Sequence, residues 1–372
     1  MVTIEEAVSK RDIKTFAKFP FSLYKGSPYW VPPLIKEEMN SFDKEKNPAF
    51  KTSDTWFLLA YKGGKLVGRA LAIINKLEVE QQQIKKIRFG WFDFVDDKQV
   101  SKALLDKVES LGRAHGMDQM EGPMGFSNLD KVGVLVDGFD YIGTMVTWYN
   151  HPYYQEHYEH LGLERGKEYV ENIVPLANAD PSNFKRINDL IKKRYQLREL
   201  NVTRKDQLET MIDAMFGLLD LTYQRLDSYT PISKEQRQHL KKRFIDFVNP
   251  EYIKFVVDKD DRLIAFAVVL PSYAHALQKA NGKLFPFGIW HLLQARRKSK
   301  SVLFYLIGVH PDYQKKGVTA IIFNEYYETF LRYGVETGIR TPELEDNTAA
   351  RQIWKHMTNI VHKRRRTYRK HF

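Results

Sequence analysis

The sequence predicts an α/β (α+β) fold made of two similar halves, each with a sheet flanked by helices. Two amphipathic segments of equal length, Val100–Gly116 and Val318–Gly334, carry apolar residues at helical spacing and end on a glycine. An apolar strand rich in β-branched and aromatic residues precedes each segment, and a short stretch ending in proline follows each. This matched order favours an internal duplication over two unrelated α/β units.

The elements of each half follow the order hairpin, central strand, helix and second strand. In the first half the hairpin turns at Gly63-Gly64, and IRFGWFDFV is the predicted central strand. In the second half the hairpin turns at Asp260-Asp261, and VLFYLIGV is the predicted central strand. We therefore predict two domains, residues 1–177 and 183–372, joined by the polar, turn-rich segment at Ala177–Asn183.

The composition excludes several classes of chemistry. The chain has 372 residues, a formal net charge of +12 and no cysteine, which removes disulfides, thiolate nucleophiles and cysteine-ligated metals. No apolar run approaches the ~20 residues that span a bilayer, and no signal-peptide pattern is seen, so we expect a cytoplasmic protein. His157 and His160 lie one helical turn apart without a third ligand, so we interpret them as surface residues and expect no metal.

The positive charge is concentrated in Arg296–Lys300 and in the segment from His362 to Phe372. The second segment has the pattern of a strand with solvated basic side chains. No nucleic-acid-binding motif accompanies either cluster, so nucleic acid is not an expected partner. The apolar stretch LFPFGIWHLL is either a lid over an acceptor or a buried helix, and we predict burial because aromatic stripes usually belong to cores.

The segment between the second central strand and its helix carries the chemical signal. A strand is predicted at Tyr305–Val309, a loop at His310–Lys316, and a helix that begins near Gly317. A helix N-terminus presents unpaired N–H groups and a positive dipole end, which together bind phosphate. Gly317 allows the backbone to approach a ligand, and Gln314–Lys316 add donors and charge. The pattern predicts an anion site.

This loop, Gln314-Lys315-Lys316-Gly317-Val318-Thr319, resembles the acetyl-CoA loop of the GNAT (N-acetyltransferase) superfamily, written Q/R-x-x-G-x-G/A. Further on, the segment from Asn347 to Trp354 resembles the N-x-x-A-x-x-L-Y helix opening of that family. The resemblance implies two tandem GNAT-like domains, each a mixed, mostly antiparallel twisted sheet flanked by helices. It also implies acetyl-CoA, or another acyl-CoA, as co-substrate. The implied binding residues are Ile307, Gly308, Val309, Gln314, Lys315, Lys316, Gly317, Val318, Thr319 and Asn347.

The resemblance further implies an acyl-CoA-dependent N-acyltransferase, with acetyl-CoA as the expected donor and direct transfer to an amine. The candidates for the base are Glu345 and Tyr305, although Glu345 can equally be a helix-capping acid. Two positions depart from the family pattern. Thr319 stands where the family prefers glycine or alanine, and Trp354 stands where many members place a tyrosine that protonates the leaving thiolate.

The first half lacks the loop. Its link from strand to helix, Asp96–Gln99, is short and acidic, and two carboxylates would repel a pyrophosphate. The segment HYEHLGL nevertheless resembles the LYxxxGF ending of the family, with Tyr158 at the tyrosine position. We interpret the N-terminal copy as a degenerate GNAT-like domain without a cofactor site.

Two other functions stay open at this point. One is an aminoacyl-tRNA-dependent transferase of the peptidoglycan-bridge type, which also uses twin GNAT folds. The other is a non-catalytic acyl-CoA-binding protein. For the leading function the expected partner is a small-molecule or peptide amine. The sequence does not identify that acceptor, the acyl-chain length or the oligomeric state.

Overall fold

The computed structural model describes residues 1–127, 129–176, 181–224, 229, 232–355 and 357–372, so the predicted joint at Ala177–Asn183 lies partly outside the described residues. The chain forms two compact units. Unit 1 comprises Met1–Val170, Ala274–His291 and His362–Phe372, and unit 2 comprises Glu171–Tyr273 and Leu292–Val361. Two segments from the second half of the sequence thus lie in unit 1.

The first half of the chain contains seven strands and five helices among its described residues. They are β1 (Val2–Glu6), α1 (Lys10–Leu23), α2 (Ile35–Ser41), β2 (Ser53–Lys62), β3 (Lys65–Asn75), α3 (Lys76–Gln81), β4 (Lys86–Phe94), α4 (Lys98–Ala114), β5 (Gln119–Gly122), β6 (Val134–Asp137), α5 (Tyr154–His160) and β7 (Glu164–Pro175).

The second half contributes six further strands and seven helices within the described ranges. They are α6 (Pro181–Tyr195), β8 (Arg198–Leu200), α7 (Lys205–Tyr223), α8 (Lys234–Phe247), β9 (Ile253–Val257), β10 (Leu263–Pro271), α9 (Ala274–Ala280), α10 (Gly288–Lys298), β11 (Ser301–Val309), α11 (Thr319–Tyr333), β12 (Thr337–Leu344), α12 (Thr348–Trp354) and β13 (Ile360–His371).

The two units repeat one strand order. Unit 1 has the strand order β1-β2-β3-β4-β5-β13-β7, with β6 beside β13. Unit 2, read from its own edge strand, has the order β8-β9-β10-β11-β12-β7. In each unit an antiparallel hairpin (β2–β3 or β9–β10) pairs antiparallel with the central strand, β4 or β11. That strand pairs in parallel with β5 or β12 after a helix, α4 or α11. The predicted fold, two similar halves with mostly antiparallel sheets, is confirmed.

Local chemistry explains the positions of the turns and helix ends. Gly63 and Gly64 have φ of +58° and +75°, which a two-residue hairpin turn of type I′ requires and which glycine adopts without strain. Gly334 ends α11 in the left-handed conformation with φ of +65°. These are the glycines that the sequence pattern singles out.

Alternation along the strands builds a core on each side of the unit 1 sheet. Leu58 and Ala60 of β2 pack with α4, whereas Phe57 and Leu59 pack with α1. In unit 2, the α11 face of the sheet carries the main apolar cluster, which includes Ile191 of α6.

The basic segment at the end of the sequence is a strand, as predicted, but its interpretation as a solvated face is wrong. Lys363, Arg365, Thr367 and Tyr368 are buried in unit 1. A guanidinium N–H of Arg365 donates to the Trp148 carbonyl oxygen over 2.7 Å. Buried cations survive here because main-chain oxygens accept their hydrogen bonds.

Two other burial predictions are also wrong. The stretch LFPFGIWHLL exposes most of its large side chains instead of packing into a core. His157 is buried rather than on the surface, and its ring nitrogens contact the Ser101 hydroxyl at 2.8 Å and the Asp96 carboxylate at 2.9 Å.

Across the described residues, no group of three acidic or histidine side chains could hold a metal ion. None of the described helices has the length and apolar content to cross a membrane.

Candidate functional site

The central strand of unit 2 leaves its parallel neighbour halfway along its length. Strands β11 and β12 are paired as far as Phe304 with Arg340, and both continue beyond that pair. The Thr341 hydroxyl donates to the Phe304 carbonyl oxygen over 3.1 Å at the point of separation. On its other edge β11 stays paired with β10 to its last residue. Residues 305–309 of β11 and 341–344 of β12 therefore form a fork.

A β-bulge marks the base of this fork. The register between β10 and β11 shifts between Val268 and Val269, because Val268 faces Leu306 whereas Val269 faces Phe304. Phe304 and Ile307 both contribute to the core on the α11 side. Residues on the same face of a regular strand are two positions apart, whereas Phe304 and Ile307 are separated by three positions. The extra residue of the bulge directs the Tyr305 side chain away from that core, and Tyr305 is half-buried. Tyr305, one of the two predicted general bases, thus lies where the fork begins.

The loop after β11 folds back on the end of that strand. A short 3₁₀ turn spans Pro311–Tyr313, and the Gln314 side-chain amide donates to the Val309 carbonyl oxygen over 3.2 Å. Lys315 and Gly317 have φ of +62° and +76°. Two left-handed residues so close together turn the main chain sharply before α11. Turns of this kind can form the concave backbone sites that bind anions.

The N-terminus of α11 is open to an anion. Val318 is the residue that precedes the helix, and its side chain makes no capping hydrogen bond. The N–H groups of Ala320 and Ile321 donate to the carbonyl oxygens of Gly317 and Val318, so an anion would meet the N–H groups of residues 317–319 at the positive dipole end of the helix. The exposed Lys316 ammonium lies 5.0 Å from the Tyr313 ring centre and 5.3 Å from that of Tyr195. These groups fit a pyrophosphate.

The structure brings most predicted binding residues to this loop and fork. Exposed positions are Gln314, Lys315, Lys316 and Gly317; half-buried positions are Ile307, Thr319 and Asn347; buried positions are Gly308, Val309 and Val318. Asn347 precedes α12, and its side-chain oxygen accepts from the Ala350 N–H over 3.0 Å, so that oxygen caps a helix. Glu345, the other predicted base, is exposed in the turn after β12.

Trp354 is buried among aromatic rings. Its ring centre lies 4.7 Å from that of Phe304 and 5.0 Å from that of Phe323. The Arg340 guanidinium stacks on the indole at 4.8 Å. These contacts hold the two paired strands against α11, so Trp354 has a packing role.

One residue at the fork was missed by the sequence analysis. The Tyr223 hydroxyl, at the end of α7, donates to the Ile307 carbonyl oxygen over 3.4 Å. Burial raises the pKa of Tyr223 to about 12, so the hydroxyl stays protonated and remains a donor. Nothing local marks this tyrosine, because its role depends on α7 packing against β10 and β11.

The corresponding helix of unit 1 is closed to anions. The Asp97 carboxylate caps α4 by accepting from the Gln99 N–H over 2.9 Å, and the Lys62 ammonium contacts it at 2.5 Å. The Lys62 hydrogen bond holds the pKa of Asp97 below its usual value, so the group is ionised. A negative charge therefore occupies the position that stays uncapped at α11.

The fork of unit 1 is filled by its own chain. After β5, the Met124 N–H donates to the Phe89 carbonyl oxygen over 2.9 Å. A Cβ atom at Gly90 would lie 2.4 Å from the Met124 carbonyl oxygen and 3.3 Å from the Trp148 ring. The Tyr158 ring stacks on Tyr368 at 4.5 Å. Met124 and Trp148 therefore pack against β4 beyond the point where its pairing with β5 ends.

Two known proteins are similar to this chain in sequence over most of its length. The chain is 27% identical over 371 residues to "Protein YghO" of Escherichia coli K12, covering 98% of this chain and 94% of that protein. It is 26% identical over 308 residues to "Bacterial ceramide synthase" of Caulobacter vibrioides, covering 82% of this chain and 79% of that protein. No family model matches the chain.

Solved structures share the fold over the whole chain. A tandem GNAT protein from the clavulanic acid biosynthesis pathway aligns with a TM-score of 0.57 at 11% identity, covering 100% of this chain and 98% of that one. A GCN5-related N-acetyltransferase from Sphaerobacter thermophilus aligns with a TM-score of 0.53 at 10% identity, covering 100% and 95%. With the repeated strand order, these likenesses show that the chain has the tandem GNAT fold.

Proposed function

We propose that the protein is an acyl-CoA-dependent N-acyltransferase that binds its donor in unit 2. The observation that carries this proposal is the fork between β11 and β12, which leads directly to the uncapped N-terminus of α11. A slot beside an anion site suits an elongated ligand with an apolar arm and a charged end. Free acyl-CoA has both parts, which favours this function over a tRNA-dependent transferase.

The main-chain N–H groups of residues 317–319 and the ammonium groups of Lys315 and Lys316 would hold the pyrophosphate. The pantetheine arm would lie along residues 307–309 of β11. Main-chain amides there would polarise the thioester carbonyl. The acceptor amine would attack that carbonyl carbon, the C–S bond would break, and the proton lost by the amine would pass to a base, Glu345 or Tyr305. CoA would leave as the thiol after gaining a proton.

The acyl group is the finer part of the proposal. The loop resemblance supports acetyl-CoA as the donor, and with it we propose a small-molecule or peptide amine in the cytoplasm as the acceptor. The relative named a ceramide synthase supports a second candidate, a fatty acyl donor with a lipid amine as acceptor. Comparing acetyl-CoA, palmitoyl-CoA and CoA as ligands separates these candidates, because only a long-chain site gains affinity from the longer chain.

Calorimetric titration tests donor binding. We expect one acyl-CoA per chain, and we expect Gly317→Glu to weaken binding at least about tenfold, since it sets a carboxylate against the phosphates. Gly317→Ala is the matched control, because it imposes the same left-handed strain at φ of +76° without charge. Two acyl-CoA per chain, or unchanged affinity for Gly317→Glu, would contradict the proposal.

Thiol release from acyl-CoA in the presence of amines tests catalysis. For an accepted amine, loss of the base should lower kcat by about 10²–10⁴-fold with little change in donor affinity. Glu345→Gln and Tyr305→Phe compare the two candidates. If the chain binds acyl-CoA tightly and no amine in a broad panel releases thiol, a non-catalytic acyl-CoA-binding protein replaces the enzyme.

A further inference from the structure

The segment Leu284–Leu293, called here the aromatic segment, exposes its largest side chains. Phe285 is 68% exposed, Phe287 73%, Trp290 60% and Leu293 53%. Trp290 and Leu293 are three residues apart in α10, so they share one face of that helix. Large apolar residues scattered singly over a surface are ordinary, but four exposed ones within nine residues of a single segment point to a binding surface.

These side chains are presented on a fixed base. Gly288 is buried, and a Cβ atom there would lie 2.1 Å from the Lys283 carbonyl oxygen. The Ile289 N–H donates to the Leu284 carbonyl oxygen over 2.6 Å, which closes the turn that starts α10. The preceding helix α9 is anchored in unit 1 by the Gln278 side-chain amide, which donates to the Trp30 carbonyl oxygen over 3.0 Å. The exposed rings therefore extend from ordered, hydrogen-bonded structure.

The chain around the patch is basic. From residue 262 to residue 311 the sequence contains no aspartate or glutamate. Lys279 and Lys283 precede the aromatic segment and are exposed, and Arg297 and Lys298, in the last turn of α10, are exposed after it. Apolar and aromatic side chains flanked on both sides by cations match the composition of helices that lie in a membrane interface.

We propose that the aromatic segment binds the surface of a lipid bilayer that contains anionic headgroups. The rings of Phe285, Phe287 and Trp290 would enter the boundary between headgroups and acyl chains, where indole rings are favoured. The flanking cations would contact lipid phosphates. Charge complementarity selects this occupant over an apolar protein surface, which offers the flanking cations no partner. The inference does not depend on acyl-CoA binding.

Co-sedimentation of the full chain with vesicles tests the proposal, without acyl-CoA present. We expect binding to vesicles of phosphatidylcholine with phosphatidylglycerol, weaker binding to phosphatidylcholine alone, and loss of binding as salt rises from about 0.1 M to about 0.5 M. The double variant Phe287→Ser, Trp290→Ser should bind at least about tenfold more weakly. The double variant Arg297→Glu, Lys298→Glu should lose the preference for anionic vesicles.

Matched controls lie elsewhere on the molecule. Leu190 and Leu331 are 61% and 62% exposed, so Leu190→Ser with Leu331→Ser removes a similar apolar exposure from other helices. Lys65→Glu reverses an exposed charge in the first hairpin. Absence of binding to anionic vesicles, or equal loss in the controls, would overturn the proposal. Concentration-dependent dimers that Trp290→Ser abolishes, with no vesicle binding, would assign the patch to a second copy of the chain instead.

Discussion

At the scale of single residues, unit 1 depends on charges buried in its sheet. Glu78 is fully buried, and its carboxylate contacts the Arg88 guanidinium at 2.7 Å and the Lys86 ammonium at 3.2 Å. Burial alone would raise the pKa of Glu78, but the two cations outweigh it and hold the pKa below the ordinary value of 4.5. The sequence reveals the charges of β4 but not their partners.

We expect Glu78→Gln to lower the free energy of unfolding at pH 7 by about 3–5 kcal/mol, because the buried Arg88 guanidinium loses its carboxylate partner, whereas Lys86 keeps Glu121 at 2.9 Å. Since the pKa is lowered on folding, this contribution is complete above the unfolded pKa and is lost as the pH falls through the folded pKa. The difference between wild type and variant should therefore shrink on acidification below about pH 4. Urea unfolding of wild type and variant at pH 7 and below about pH 4 measures this difference in stability. A difference that does not change with pH would refute the ionised, salt-bridged state of Glu78.

Trp354 supplies a second prediction at this scale. The contacts with Phe304 and Phe323 indicate a packing role, so both Trp354→Tyr and Trp354→Phe should lower stability by about 1–3 kcal/mol. Tyrosine should give no higher turnover than phenylalanine, measured as kcat with an accepted amine. Faster turnover with tyrosine alone would instead support a missing acid at this position.

At the scale of elements, the two copies differ most at their forks. Gly90→Ala should destabilise unit 1 by about 1–3 kcal/mol, because the added Cβ would meet the Met124 carbonyl oxygen at 2.4 Å. Gly217→Ala is the control, since no atom lies within 4 Å of a Cβ there and the helix should gain about 0.5–1 kcal/mol. Urea unfolding compares them. A Gly90→Ala protein as stable as wild type would show that the unit 1 fork is not tightly filled.

Most elements were predictable because their signals are local. Gly63-Gly64 and Gly334 determine turns and a helix end through their own backbone freedom, and the consecutive residues Gln314–Thr319 predict a loop between β11 and α11. The predictions that were wrong concern residues whose burial depends on partners distant in sequence. Arg365 is buried because its acceptor, the Trp148 carbonyl oxygen, is supplied by a residue 217 positions away. The exposure of Trp290 similarly follows from tertiary packing and not from its neighbours in sequence.

At the scale of the whole molecule, donor binding should slow amide hydrogen exchange in unit 2 and leave unit 1 unchanged. We expect acetyl-CoA to slow amide hydrogen exchange in residues 305–319, because the ligand covers the fork and the α11 N-terminus. Residues 94–100 of unit 1 should exchange unchanged, because Asp97 already caps α4. Mass spectrometry of peptides with and without ligand measures both. Equal protection of the two segments would mean that both copies bind the donor.

The membership of β13 in unit 1 has a consequence for biosynthesis. Tyr368 pairs with Gly122 and His371 with Gln119, so β5 gains this neighbour only after all of unit 2 has been translated. Unit 1 is therefore translated first but completed last. Until β13 is made, β5 presents an unpaired edge of the kind that promotes aggregation. Nascent chains stalled before residue 362 should therefore engage chaperones through the N-terminal copy, even when the C-terminal copy has already folded.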